Sequence, residues 1–229
     1  MRMATAVAGV LVTLGLMAPV TASALNTPEL THPTAKLLGA GAKLQATNVG
    51  AVRWTDGTGA TFVECSTGVL TGTLVKNAGA SVFITIESAT FTSAGLQCSG
   101  FNGAGLTTVQ ANIGNGIPWC IFSNQASNDD EFKLDGGSCS EAPRTTTFVL
   151  ETAAWGACKY EKEAGATRIS GSYFTDTAIH ANSDAVLQVP GSKFKREAGS
   201  NVNCPPETFL DMTMTFETNA SMKEPLYFS

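Results

Sequence analysis

Strict alternation of apolar and polar residues is clearest near the end of the chain. Leu210, Met212, Met214 and Phe216 interleave with Asp211, Thr213, Thr215 and Glu217, so residues 207–217 predict a strand with one face buried. The stretch most committed to β structure is Ser81-Val82-Phe83-Ile84-Thr85-Ile86, whose β-branched and aromatic side chains suit a pleated, buried surface. Similar short runs occur at 51–54, 60–65, 69–75, 90–92, 106–111, 117–123, 145–151, 166–174 and 185–189. Turn residues punctuate them: Asp56-Gly57, Asn77-Ala78-Gly79, Asn102-Gly103, Asn115-Gly116, Asp135-Gly136-Gly137, Pro190-Gly191 and Pro205-Pro206. No window sustains helical periodicity, and at most one helical turn fits 175–181. Many short strands at such spacing predict an all-β fold, an antiparallel β-sandwich or barrel. The polar stretch 124–143 reads either as a long hairpin loop or as a boundary between two small β-subdomains.

Ahead of this domain the pattern is different. Arg2 precedes an apolar run from Ala4 to Val20, broken by Pro19, and Thr21-Ala22-Ser23-Ala24 supplies the small residues that a signal peptidase recognises. Residues 1–24 are therefore expected to be a cleaved export signal. No cysteine lies near the site to carry a lipid, and no later apolar stretch approaches the roughly 20 residues of a spanning helix. Residues 25–46, with Pro28 and Pro33, read as a flexible arm leading into a β-domain at 47–229. The expected location is extracellular, released or held in the cell envelope.

Six cysteines follow the signal, and oxidising compartments are where disulfides persist. Six thiols allow fifteen pairings. Spacing favours the sequential one. Cys65 and Cys98 flank two strands, Cys120 and Cys139 bracket the polar segment, and Cys158 and Cys204 flank two later strands. The closest neighbours are nineteen apart and no C-x-x-C occurs, so zinc and thiol exchange are poor alternatives.

Charge narrows the field further. The chain has 14 Lys and Arg against 19 Asp and Glu, and loss of Arg2 would leave 13 against 19, a net −6. Scattered basic residues and an acidic balance argue against nucleic acid and against anionic lipid. A pore or membrane-binding oligomer would need an apolar outer hairpin, and 124–143 is too polar to supply it.

Candidate chemistry is sparse. His32 lies in the arm, and His180, four residues from both Asp176 and Asp184, reads as a loop or edge histidine rather than a base. No nucleophile elbow, H-E-x-x-H, P-loop or Gly-rich fingerprint occurs, so neither a catalytic residue nor a cofactor is assigned. Asp129, Asp130 and Asp135 gather oxygen ligands in one segment, but not at EF-hand spacing, and no metal is assigned. Three tryptophans could stack on sugar rings. Trp119 and Trp155 read as core residues, and Trp54, beside the Asp56-Gly57 turn, as the exposed one. Trp54 with Asp129, Asp130 and Asp135 is thus the speculative binding set, and a cell-surface component or carbohydrate the corresponding partner. The expected role is a structural or binding module. A secreted hydrolase on polysaccharide or lipid is the alternative.

Several phrases together resemble a group of small secreted actinobacterial proteins of no established function. They are Cys65 with Leu70-Thr71-Gly72-Thr73, residues 84–91 leading to Cys98, Ile117-Pro118-Trp119, Cys158-Lys159-Tyr160, Cys204-Pro205-Pro206 and Pro225-Leu226-Tyr227-Phe228-Ser229. The resemblance implies a secreted, disulfide-bonded β-protein and carries over no catalytic residue. Cys120 and Cys139 read as a local addition to it.

Overall fold

A computed structural model describes residues 30–31, 38–78, 81–93, 98–101, 106–112, 117–124, 131–142, 144–152, 155–162, 169–176, 184–218 and 227–228. The export signal, His32, His180, Asp129 and Asp130 lie outside the described residues. Those described are all-β: β1 (Leu30–Thr31), β2 (Lys43–Asn48), β3 (Val52–Asp56), β4 (Thr61–Cys65), β5 (Thr67–Asn77), β6 (Ser81–Thr92), β7 (Cys98–Phe101), β8 (Leu106–Asn112), β9 (Trp119–Asn124), β10 (Glu131–Gly136), β11 (Thr147–Thr152), β12 (Gly156–Lys162), β13 (Ile169–Asp176), β14 (Asp184–Arg196), β15 (Glu207–Thr218) and β16 (Tyr227–Phe228). No helix among the described residues is long and apolar enough to cross a membrane.

The ladders are antiparallel and close on themselves. β14 and β15 form one long hairpin, paired from Ala185↔Phe216 to Lys195↔Glu207. At one end this hairpin is flanked by β13 and β2, and at the other by β12 and β3. From β13 the ladder runs through β10, β9, β6 and β5 back to β2; from β12 it runs through β11, β8, β7 and β4 back to β3. Each route, with the shared hairpin, is a circuit of eight strands, so no strand in either ring has an open edge along its paired length.

The hairpin serves both rings because its sheet bends midway. Pro190-Gly191, read from sequence as a turn, is instead a β-bulge: the register shifts between Val189 and Ser192, and Gly191 takes φ 62°. Pro190 has no N–H to lose from the ladder there. The Asp56-Gly57 turn does form between β3 and β4, but Gly59 carries the positive φ, 84°. Asp56 Oδ1 accepts bonds from Thr58 N, Thr58 Oγ1 and Ala60 N, and the Thr58 hydroxyl first among these holds its carboxyl below the usual range.

One continuous core fills the structure. Leu210, Met212, Met214 and Phe216 are all buried, as their alternation requires. The rings are joined by aromatic contact: Trp54 of β3 meets Phe91 of β6 edge-on at 5.6 Å and Phe148 of β11 at 6.2 Å. The expectation of an exposed Trp54 is therefore overturned. Its side chain is 0% exposed, because it shares strand parity with buried Val52 while Arg53 points to solvent. Trp119 is buried and Trp155 packs half-buried against the core.

Within the polar stretch 124–143, residues 131–136 are strand rather than loop. Phe132 and Leu134 put β10 in the barrel wall, and hydrogen bonding continues through it from β9 to β13. The arm, in turn, is tied down where it is described. Buried Leu30 pairs with Phe228, and Asn77 accepts from Leu30 N at 2.9 Å while donating to Leu30 O at 2.7 Å and Leu38 O at 2.8 Å. Three buried bonds from one amide hold this segment. Asn77→Ala is expected to release about 2–3 kcal/mol of local stability, seen as amide exchange at Leu30 at least tenfold faster; unchanged exchange would refute the clamp.

The three bridges are Cys65–Cys98, Cys120–Cys139 and Cys158–Cys204, the sequential pairing. Near the last of them, Arg196 Nη1 donates to the carbonyls of Asn201, Val202 and Cys204. Tyr160 stacks on Phe148 at 5.4 Å and donates to Pro205 O at 3.2 Å. Burial pushes its phenol well above the ordinary value of 10.0. Because the folded pKa is raised, this contribution is complete below pH 10 and fades as the unfolded tyrosine ionises above it. Melting temperatures taken from pH 8 to 11.5 should fall steeply above pH 10, and less steeply in Tyr160→Phe; parallel curves would contradict the assignment.

Candidate functional site

The outer face of β6, β9 and β10 carries the candidate site. Inward-facing Ile84, Ile86, Trp119, Ile121, Phe132 and Leu134 are buried, which leaves alternate residues outside. Register then fixes who meets whom. Phe83 lies opposite Phe122, and Phe122 opposite Lys133; two residues along, Thr85 lies opposite Cys120, and Cys120 opposite Asp135. Lys76 of β5 completes the first row beside Phe83. The Phe83 and Phe122 rings stack with centroids 5.9 Å apart and planes 11° from parallel. The Lys76 ammonium stands 5.4 Å from the Phe83 centroid.

After β10 the chain folds back over this face. Gly137, at φ 92°, donates its N–H to Pro118 O at 2.8 Å. Gly136 and Arg144 exchange two backbone bonds of 3.0 and 2.9 Å, and Cys139 N donates to Thr85 Oγ1 at 3.2 Å. The Cys120–Cys139 bridge then pins the returning segment to the sheet.

Between the segment and the sheet lies a crevice of about 180 Å³, open on one side to solvent. Its lining combines apolar groups, Phe83, Phe122 and the disulfide, with polar residues, Asp135, Ser138 and Glu141. Asp135 is only 2% exposed although it sits on an outer-face position, because the returning segment covers it. Glu141 is more open and pairs with Arg144 at 3.3 Å. Ser138 and Ser140 share a hydroxyl contact of 3.0 Å.

Of the residues singled out from sequence, Asp135 enters this site, as do Cys120 and Cys139. Trp54 does not, being in the core. Phe83 and Phe122 were missed as site residues, since their meeting depends on a pairing across 39 residues. Glu141 and Ser138 sit in the stretch read as a polar loop, where composition alone gave no reason to prefer them. Among the described residues no group of three or more His, Cys, Asp or Glu side chains is arranged to hold a metal ion. The described lining contains acceptors, a hydroxyl and aromatic carbon, a set suited to holding a small amphipathic molecule. In comparisons with known proteins, the chain matches no family model, no curated protein and no solved structure.

Proposed function

We propose that this chain is a secreted, non-catalytic binding module, a rigid β scaffold presenting the crevice beside Cys120–Cys139 to a small ligand. The observation that carries the reading is the mixed lining of the crevice of about 180 Å³, which includes the stacked Phe83–Phe122 pair and the acids Asp135 and Glu141. Three disulfides are typical of extracellular proteins and support a place outside the cytoplasm, as does the apolar segment read as an export signal. The braced segment favours binding because little ordering remains to be done when a ligand arrives.

A second reading, hydrolysis of a polysaccharide, is favoured by one fact: two carboxylates share the crevice, and glycoside hydrolysis uses such a pair. Amide-correlation NMR with cyclohexylamine, cyclohexanol and methyl glucoside as separate probes tests the module. Shifts should cluster at 83–85, 120–122 and 135–141 for at least one probe. No perturbation by any probe, or perturbation centred elsewhere, would refute the site, and release of reducing ends from soluble glycans would replace binding with catalysis.

A further inference from the structure

We propose that the Cys120–Cys139 bridge is a site of thiol–disulfide exchange, open to low-molecular-mass thiols where the other two bridges are closed. This chemistry stands whether or not the crevice holds a ligand. Exposure separates the three bridges. Cys65, Cys98 and Cys158 are 0% exposed and Cys204 1%, and all four belong to the continuous core. A thiol reaches them only after strands part, an opening at the costly end of local stability. Cys139 is partly exposed on the returning segment, and both it and Cys120 line the crevice. Exchange requires a sulfur that the incoming nucleophile can touch, and of the three bridges this one meets the condition in the folded protein. The absence of C-x-x-C, which argues against a catalyst of exchange, leaves an accessible bridge free to be its substrate.

The thiolate of the incoming molecule attacks Cys139 Sγ, on the more exposed half of the bridge, and a new S–S bond forms there. The Cys120–Cys139 bond breaks, its electron pair leaves on Cys120 Sγ, and that thiolate takes a proton from water. A second thiolate attacks the sulfur of the first molecule and releases Cys139 as a thiolate, protonated in turn. Two thiols are thereby oxidised to one small disulfide, and the protein gains two electrons and two protons.

What reduction releases is local. Cys120 lies in β9, paired with β6 on one side and β10 on the other, so its strand stays in the wall. Cys139 keeps the bond from its own N–H to Thr85 Oγ1, and its segment keeps the Gly137 and Gly136–Arg144 backbone bonds. Without the bridge, these few bonds hold residues 137–142 against the sheet. The loop it closes is also the shortest, a separation of 19 against 33 and 46, so its loss frees the unfolded chain least. Reduction therefore loosens one rim of the crevice and leaves both rings closed.

The test is incubation of the intact oxidised protein with 2-mercaptoethanol at pH 8, quenched at intervals with iodoacetamide and read by peptide mass spectrometry. Labels should reach Cys120 and Cys139 at least tenfold sooner than any other cysteine, so that a doubly labelled species accumulates first. Amide exchange at Gly137 and Cys139 should be at least tenfold faster in that species, while the β14–β15 ladder keeps its protection. The double variant Cys120→Ala/Cys139→Ala should show the same exchange pattern with no reagent present. Earlier labelling of Cys65, Cys98, Cys158 or Cys204, or loss of all three bridges together, would overturn the proposal. Unchanged exchange at Gly137 and Cys139 in both the labelled species and the double variant would overturn the release of the segment.

Discussion

Full reduction of the three disulfides is expected to unfold the protein near 37 °C. Restricting the unfolded chain, Cys158–Cys204 with its separation of 46 residues contributes about 4 kcal/mol, Cys65–Cys98 with 33 about 3.7, and Cys120–Cys139 with 19 about 3.2. Together these reach about 11 kcal/mol, as large as the roughly 5–15 kcal/mol by which a whole domain is stable. Thermal scans with and without dithiothreitol would show it directly. Paired Cys→Ala variants should rank in the same order, with the 158–204 pair losing most. A reduced protein that keeps its melting temperature, or a reversed ranking, would mean the bridges act through something other than loop closure.

Replacing Trp54 by alanine should be the most damaging single side-chain change. Truncating a fully buried tryptophan costs about 3–5 kcal/mol, and at about 2–4 °C per kcal/mol for a domain of this size the melting temperature should drop by about 6–20 °C. The loss is large because Trp54 touches Phe91 in one ring and Phe148 in the other, so a cavity there loosens both. Trp54→Phe should cost far less. Among the described residues its indole N–H meets no acceptor, so phenylalanine gives up volume but no hydrogen bond. Equal melting temperatures for Trp54→Ala and Trp54→Phe would show that ring-to-ring packing is not what this residue supplies.

How far the sequence foretold this depends on where the signal was local. β15 was plain because four large apolar residues alternate without interruption. β10 alternates equally well, as Glu131-Phe132-Lys133-Leu134-Asp135, yet polar neighbours on both sides gave the segment the look of a loop. β2 escaped because small Ala46 is one of its two buried positions, a weak mark in any apolar pattern. Trp54 was misjudged by weighing the nearby turn over parity with Val52. The disulfide order was readable because each cysteine pairs with its neighbour along the chain. The crevice was not, apart from Asp135. It arises from a long-range register that puts Phe83 beside Phe122, and from a returning segment whose path no local preference dictates.

The hairpin of β14 and β15 has a bearing on how the molecule assembles. It works as one latch for two rings, and its second half follows every other strand of both rings along the chain. Until Thr218 is available, β2 and β3 both wait for the partner that β15 provides, so neither circuit can be completed early. Closure of both must come as a single, late, long-range event, the slow kind for a β-rich chain. A polypeptide built this way stays threadable while it is being made and locks only once β15 has arrived.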